Sequence, residues 1–277
     1  ELLSVFSEVK LFHRVVAENG ALLYNPATRE EKLLAPPIPD ALVRALRERG
    51  VQRVSVGRVI VSTDRPEETT VLTAISQLGL ELQLIFNRGA VMVLPAGVNK
   101  ASGLNAALES LCLSPHEVVA IGDAENDHAF MGVSEFCAAV GNALPALKQQ
   151  ADWVTHGSDG QGVTELIDEI VAHDLEQREN CCERHRLTIG TRADGSSVHL
   201  SPRGPNILIA GPSGSGKSTA ATSLLERLAE GHYQFCIVDP EGDYEGLEGT
   251  VTLGRGKRAP MAEEVLEVLA KPQHNVV

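Results

Sequence analysis

The sequence predicts an α/β protein in two parts, a parallel-sheet core interrupted by an inserted α+β module and then a second α/β domain. Three observations carry this. Short apolar runs alternate with amphipathic segments over residues 97–173, turn and hairpin signals crowd residues 21–96, and a glycine-rich turn at 211–216 separates an apolar run from a helical pattern. Alternation of buried strands with amphipathic helices is the signature of a parallel sheet covered on its faces, whereas closely spaced turn signals mark antiparallel pairing.

Along the chain, Val15, Val16 and Ala17 form a short strand, and Glu18-Asn19-Gly20 turns out of it. Residues 21–24 and 31–34, joined by the turn chemistry of Asn25-Pro26-Ala27-Thr28, make a hairpin. After Pro36, Pro37 and Pro39, a helix carries Leu42, Val43 and Leu46 at helical spacing. A single strand over 54–61, a helix over 66–78 and strands at 82–86 and 91–94 complete the inserted module, 21–96. Lys100 opens a helix with Leu104, Leu108 and Leu111 on one face. Strands at 118–121, 137–140 and 153–155 then alternate with helices at 124–131, 143–149 and 162–172, so 1–20 and 97–173 make the core. Residues 174–186 read as a linker. In 187–277, a hairpin (187–190 and 198–200) precedes a buried strand at 206–210. The chain opens in a helical pattern (Leu2, Leu3, Phe6) and closes at Asn275-Val276-Val277 in what reads as the start of a strand, so truncation at both ends is expected.

Composition narrows the function. A chain of 277 residues, 43% hydrophobic, can build two ordinary cores. A formal net charge of -13 argues against a surface made for non-specific nucleic-acid binding, while leaving room for small phosphorylated ligands. No apolar run has membrane-span length and no signal-peptide pattern opens the chain, which predicts a cytoplasmic protein with no membrane partner. Five cysteines at irregular spacing (Cys112, Cys137, Cys181, Cys182, Cys236) read as mostly buried thiols, and Cys181-Cys182 with His185 lacks the further ligands of a zinc site.

Two stretches carry chemistry. Gly122-Asp123-Ala124-Glu125-Asn126-Asp127 follows the apolar run 118–121, so a strand end delivers two aspartates and an amide to one loop. Hard oxygen donors on a rigid strand end suit Mg2+ beside a phosphate. The same residues also suit a turn whose Asp or Asn caps the next helix. The second stretch, 211–219 (Gly211-Pro212-Ser213-Gly214-Ser215-Gly216-Lys217-Ser218-Thr219), matches G-x-x-x-x-G-K-[ST] between a strand and a helix. Its glycines let backbone N–H groups curl around the phosphates of ATP, Lys217 reaches the β and γ phosphates, and Ser218 is placed for Mg2+. Gly211, Gly214, Ser215, Gly216, Lys217, Ser218 and Thr219 are therefore the expected nucleotide-binding residues. Asp239, after the apolar run 235–238, is open to two readings, a nucleotide-proximal acid or a solvated strand-end turn.

Glu18-Asn19-Gly20-Ala21, Lys100 at a helix start, the strand ending in Gly122-Asp123, the following Asn126-Asp127, and the tail Gly141-Asn142-Ala143 through Asp159-Gly160 and Gly162-Val163 resemble, in that order, haloacid-dehalogenase-like (HAD) phosphatases of the Cof type, over about 11–172. The resemblance implies a Rossmann-like HAD core with an inserted α+β cap, acting on a small phosphorylated metabolite with Mg2+. It implies Asp123, Asn126 and Asp127 as metal ligands or their supports, and Lys100 and Asp127 as catalytic residues. It also implies an aspartate nucleophile in an N-terminal D-x-D strand. This chain has no D-x-D, and Asp40 and Asp64, the aspartates before the return to the core, fall in the cap, so the nucleophile is expected outside it. Residues 187–277, with their hairpin before the motif and Asp239-Pro240-Glu241-Gly242-Asp243-Tyr244 after it, resemble the HerA-FtsK class of P-loop ATPases, which implies a partial P-loop NTPase α/β domain binding ATP, with Mg2+ at Ser218.

The expectation is a phosphatase fused to an ATPase, this chain lacking phosphatase activity. Two alternatives stand beside it: a non-catalytic sensor of a phosphorylated ligand coupled to the ATPase, and a nucleic-acid motor acting through the ATPase domain. A homo-oligomer is expected by analogy with ring-forming HerA-FtsK ATPases.

Overall fold

The computed structural model describes residues 6–87, 89–176, 178, 185–202, 206–254 and 258–277. The expected opening helix at Leu2 and Leu3, and Cys181-Cys182, lie outside them. Two compact units make up the chain, Glu1–Leu111 with Glu117–Glu176, and Cys112–His116 with Gln177–Val277.

In the first unit, β1 (Val15–Ala17) runs into a turn at Glu18–Gly20, and β2 (Leu22–Asn25) returns antiparallel to it, with Val16 opposite Leu23. Asn25 Oδ1 accepts the Ala27 N–H at 3.0 Å, which tightens the bend into β3 (Glu30–Leu33). The hairpin assigned from sequence to the inserted module thus pairs with β1.

The inserted sheet starts after α1 (Asp40–Glu48), whose Leu42, Val43 and Leu46 are buried at the expected spacing. Its strands are β4 (Ser55–Val56), β5 (Val61–Asp64), β6 (Leu82–Asn87) and β7 (Ala90–Pro95), in the antiparallel order β4-β5-β7-β6, with α2 (Glu68–Gln77) between β5 and β6. Leu42, Leu46, Val61, Val71, Ala74 and Val93 form the core between the helices and one sheet face. On the other side Leu94 joins Ala21, Val59 and Val98, with Ile85 and Met92 packed against them. The single strand expected over 54–61 is instead a hairpin. The Gly57 N–H donates to the Ile60 carbonyl at 2.8 Å, reversing the chain in the middle of that run.

After β7 come α3 (Lys100–Leu111), β8 (Val119–Gly122), a 3-10 turn at Glu125–Asp127, α4 (His128–Val133), β9 (Phe136–Ala139), α5 (Pro145–Gln150), β10 (Trp153–Val154) and α6 (Asp159–His173). β8, β9 and β10 are parallel in the order β10-β9-β8, with Ala120 opposite Cys137 and Ala138 opposite Trp153. All four residues of the central strand β9 are buried, as a strand covered on both faces requires. Ala120, Met131, Cys137, Ala139 and Leu147 pack around it.

In the second unit, β11 (Leu187–Thr191) and β12 (Ser197–Leu200) form the expected hairpin, followed by α7 (Lys217–Glu230), β13 (Thr250–Val251), α8 (Ala262–Leu269) and β14 (Asn275–Val276), with β13 parallel to β14. The buried strand expected at 206–210 is not formed. Residues 206–210 pair with no strand among the described residues, and Leu208 is 89% exposed. Likewise only Cys236 of the run 235–238 makes a bridge, to Val276, and Val238 is 91% exposed. A strand gains its stability from neighbours, so an apolar run without them has neither ladder nor burial. Of the described cysteines, Cys137 is buried, whereas Cys112 and Cys236 are exposed, contrary to expectation. No helix among the described residues is long and apolar enough to cross a membrane.

Candidate active site

β8 ends at Gly122, and the absence of a side chain there shapes the loop. A Cβ on Gly122 would lie 2.7 Å from the Asp127 Cβ and 2.8 Å from Met131 Sδ. Because that space is open, Asp127 folds back onto the strand end. Its Oδ2 accepts the backbone N–H groups of Asp123 at 2.8 Å and Ala124 at 3.0 Å, and its Oδ1 pairs with Lys100 Nζ. Asp127 is 3% exposed. Burial opposes its charge, but the Lys100 ammonium and the two backbone donors outweigh burial and hold the carboxyl below its ordinary range. The same bonds explain why 124–131 is not one helix: the chain first makes the Glu125–Asp127 turn, and α4 starts at His128.

Lys100 is the first residue of α3, whose start is capped by its neighbours. The Asn99 N–H donates to Ser102 Oγ and the Ser102 N–H to Asn99 Oδ1, each at 3.0 Å, satisfying two donors of the first turn reciprocally. The Lys100 side chain is 35% exposed, and its Nζ stands 5.8 Å from the centroid of the Phe130 ring. A cation at a helix N-terminus opposes the helix dipole, and Asp127 is the anion that compensates it here.

What seats α3 is the turn after β1. Glu18, Asn19 and Gly20 all have positive φ, at 51°, 55° and 104°. A Cβ on Gly20 would lie 1.8 Å from the Asn99 carbonyl oxygen, so only glycine lets the helix start approach this closely. From the same turn, Asn19 Oδ1 accepts a hydrogen bond from Asn126 Nδ2 at 3.0 Å. Asn19 Nδ2 and Asn126 Oδ1 are buried with no partner among the described residues, an orphaned donor and an orphaned acceptor beside the Asp123 loop. Strand β6 of the inserted sheet packs against the Glu125–Asp127 turn.

Lys100 and Asp127 are thus in contact, Asp123 is tied to Asp127 through its backbone, and Asn126 lies on the same turn. Asn19 was not assigned to the site from sequence; its signal is the E-N-G tripeptide, whose left-handed turn carries it to the loop. The tail is interlocked too: Asn142 Nδ2 donates to Asp159 Oδ1 and the Asp159 N–H to Asn142 Oδ1, both at 3.0 Å.

In the second unit the glycine-rich loop curls before α7. Gly214 and Gly216 have φ of 77° and 88°, with Gly216 at the helix N-cap. The Ser215 N–H and Lys217 Nζ both donate to the Pro212 carbonyl, at 3.2 Å and 2.9 Å. Lys217 is partly buried, while Gly211, Gly214, Ser215, Gly216, Ser218 and Thr219 are exposed. Asp239 accepts the N–H groups of Tyr244 at 2.8 Å and Gly242 at 2.9 Å, and the Tyr244 bond leads in holding its carboxyl below the ordinary range. Of the two readings left open for this acid, the turn-capping one matches these bonds.

Residues 51–167 match the profile of a family described as haloacid dehalogenase-like hydrolase, and residues 203–273 match one described as Helicase HerA, central domain. Phosphoglycolate phosphatase 2 of Saccharolobus solfataricus is 36% identical over 121 residues, 43% of this chain and 50% of that protein. Phosphoglycolate phosphatase of Methanothermobacter thermautotrophicus is 33% identical over 162 residues, 55% of this chain and 70% of that protein. The chain therefore spans half the length of the first relative. A haloacid dehalogenase-like hydrolase from Bacteroides thetaiotaomicron superposes with a TM-score of 0.51 at 19% identity, over 61% of this chain and 82% of its own. Thermoplasma acidophilum 0175 gives a TM-score of 0.51 at 18% identity, over 61% and 79%. These likenesses show the Rossmann-like α/β fold of the first unit. With the family profile over 51–167 and a relative at 33% identity matched over 70% of its length, the chain belongs to the haloacid dehalogenase-like hydrolases.

Proposed function

We propose that the first unit supplies the cation and metal-binding half of a Mg2+-dependent phosphatase site, acting in the whole protein on a small phosphomonoester. The carrying observation is the Lys100–Asp127 pair, buried at its carboxylate and held at the strand end that also presents Asp123. The loop fits a hard cation, because its donors are oxygens: the Asp123 carboxylate and Asn126 Oδ1, the latter buried without a partner. When bound, Mg2+ would neutralise charge on the transferring phosphoryl group. Asp127, whose Oδ1 accepts from Lys100 and whose Oδ2 accepts from backbone N–H groups, holds the loop and orients Lys100. Lys100 directs its ammonium at the phosphate, where a fixed positive charge stabilises the developing negative charge.

The reaction through an aspartyl-phosphate needs an aspartate nucleophile, and with no D-x-D in 1–277 we assign it to the whole protein and expect no turnover by this chain alone. The names of the relatives point to phosphoglycolate as the first substrate to try. The test is Mg2+-dependent hydrolysis of phosphoglycolate by the whole protein; activity unaffected by Lys100→Met would overturn the assignment.

The second unit is proposed to bind ATP at 211–219, with Ser218 towards Mg2+, in a cytoplasmic protein. The likeness of 203–273 to Helicase HerA, central domain, favours one further reading, a ring-forming nucleic-acid motor. Salt-dependent titration of DNA onto the whole protein decides it, since phosphate contacts give a steep salt slope.

A further inference from the structure

We propose that Glu18 is a positioning residue that docks the inserted sheet onto the phosphate site; the functional part of this inference rests on the phosphatase reading above. Its carboxylate sits against three consecutive backbone donors of the β4–β5 turn. Oε1 accepts the Arg58 N–H at 2.7 Å, and Oε2 accepts the Val59 and Ile60 N–H groups at 2.8 and 3.1 Å. Successive N–H groups converging on one point make an anion-binding concavity, and bonds from them to a carboxylate are charge-assisted. The turn is shaped to receive the side chain. A Cβ on Gly57 would lie 2.6 Å from Glu18 Oε1, so glycine there keeps the space in which the carboxylate sits.

Glu18 holds this contact from a strained position. Its φ is 51°, a conformation unusual for a non-glycine residue that persists only when surrounding contacts enforce it. The next two residues use the same left-handed turn, Asn19 to reach Asn126 and Gly20 to seat the start of α3. Three consecutive residues therefore fasten three parts: the inserted sheet through Glu18, the metal loop through Asn19, and the Lys100 helix through Gly20. Val59 extends the fastening into the apolar cluster with Ala21, Leu94 and Val98. Since β6 of the same sheet lies on the Glu125–Asp127 turn, the place of the sheet sets the space left for the part of the substrate beyond its phosphate.

A carboxylate is required for this contact. Gln would keep one acceptor and turn an NH2 towards backbone donors, and Ala would leave three N–H groups without their acceptor. The test reads amide hydrogen exchange in residues 1–277 and kinetics in the whole protein. With Glu18→Gln, exchange at Arg58, Val59 and Ile60 should rise by about tenfold or more, while the β8 and β9 amides stay at wild-type rates and certify the fold. In the whole protein the same variant should raise KM for phosphoglycolate by about tenfold and change kcat much less, which a general loss of stability would not do. Lys100→Met is the converse control, removing turnover and leaving the 58–60 amides protected. Wild-type exchange at 58–60 in Glu18→Gln overturns the proposal, as does faster exchange with an unchanged KM. If the wild-type protein hydrolyses no phosphomonoester, the phosphatase reading fails and the exchange result alone decides whether Glu18 docks the sheet.

Discussion

Gly20 and Gly103 touch backbone to backbone: a Cβ on Gly103 would stand 2.6 Å from the Gly20 Cα and 2.5 Å from Val16 Cγ1. α3 therefore crosses the end of β1 at a distance that no side chain permits, and this crossing carries Lys100 to the strand end where Asp127 waits. The site is assembled by two absent side chains as much as by the two charged ones.

Gly20→Ala is the more damaging of the two substitutions. Its φ of 104° is a region L side chains rarely adopt, and the new Cβ would meet the Asn99 carbonyl oxygen at 1.8 Å. A loss of about 3 kcal/mol or more is expected for Gly20→Ala and about 1–3 kcal/mol for Gly103→Ala, measured by urea unfolding of residues 1–277.

Lys100→Met leaves the Asp127 carboxylate buried with only its two backbone donors. Removing one partner of a buried pair is costly, but the Lys100 side chain is 35% exposed and solvent screens part of the interaction. The expected destabilisation is about 1–2 kcal/mol at neutral pH, with hydrolysis by the whole protein lost. An unchanged denaturation midpoint would show that the pair contributes nothing to the fold.

Acid should weaken the first unit in a defined way. The Asp127 carboxyl lies below its ordinary value of 3.8 in the folded chain. A carboxyl so lowered contributes stability above its unfolded pKa, and this is lost as pH falls through the folded one. Urea midpoints should therefore drop as pH falls below about 4, more steeply than in Asp127→Asn, which is less stable at neutral pH but insensitive to this titration. Parallel curves for the two proteins would contradict the assignment.

For the second unit, ATP with Mg2+ should raise the melting temperature. Ligand at a hundredfold its Kd adds about 2.7 kcal/mol, and Lys217→Ala should abolish the gain. Hydrogen exchange at 206–210 offers a second readout, with slower exchange expected when the loop is filled.

The parallel core was legible because its strands and helices are short, separate and locally patterned. The strand ending in Gly122, the helix opening at Lys100 and the hairpins at 22–33 and 187–200 all form as read. What escaped depends on distant partners. The alternation of apolar residues over 54–61 continues through its turn, and the turn at Gly57 is held by Glu18, about forty residues earlier in the chain. The run 206–210 reads as a buried strand on composition alone, but a ladder needs neighbours that no local pattern supplies. The two aspartates of the loop looked alike in sequence. Gly122 distinguishes them, by giving Asp127 room to fold onto its own backbone.

The most direct measurement is Mg2+-dependent hydrolysis of phosphoglycolate by the whole protein beside its Asp123→Ala variant. Turnover that needs Mg2+ and falls at least about a hundredfold in Asp123→Ala is the expected result. Equal turnover in both proteins, or turnover that persists without a divalent cation, would contradict a metal and phosphate site at this loop.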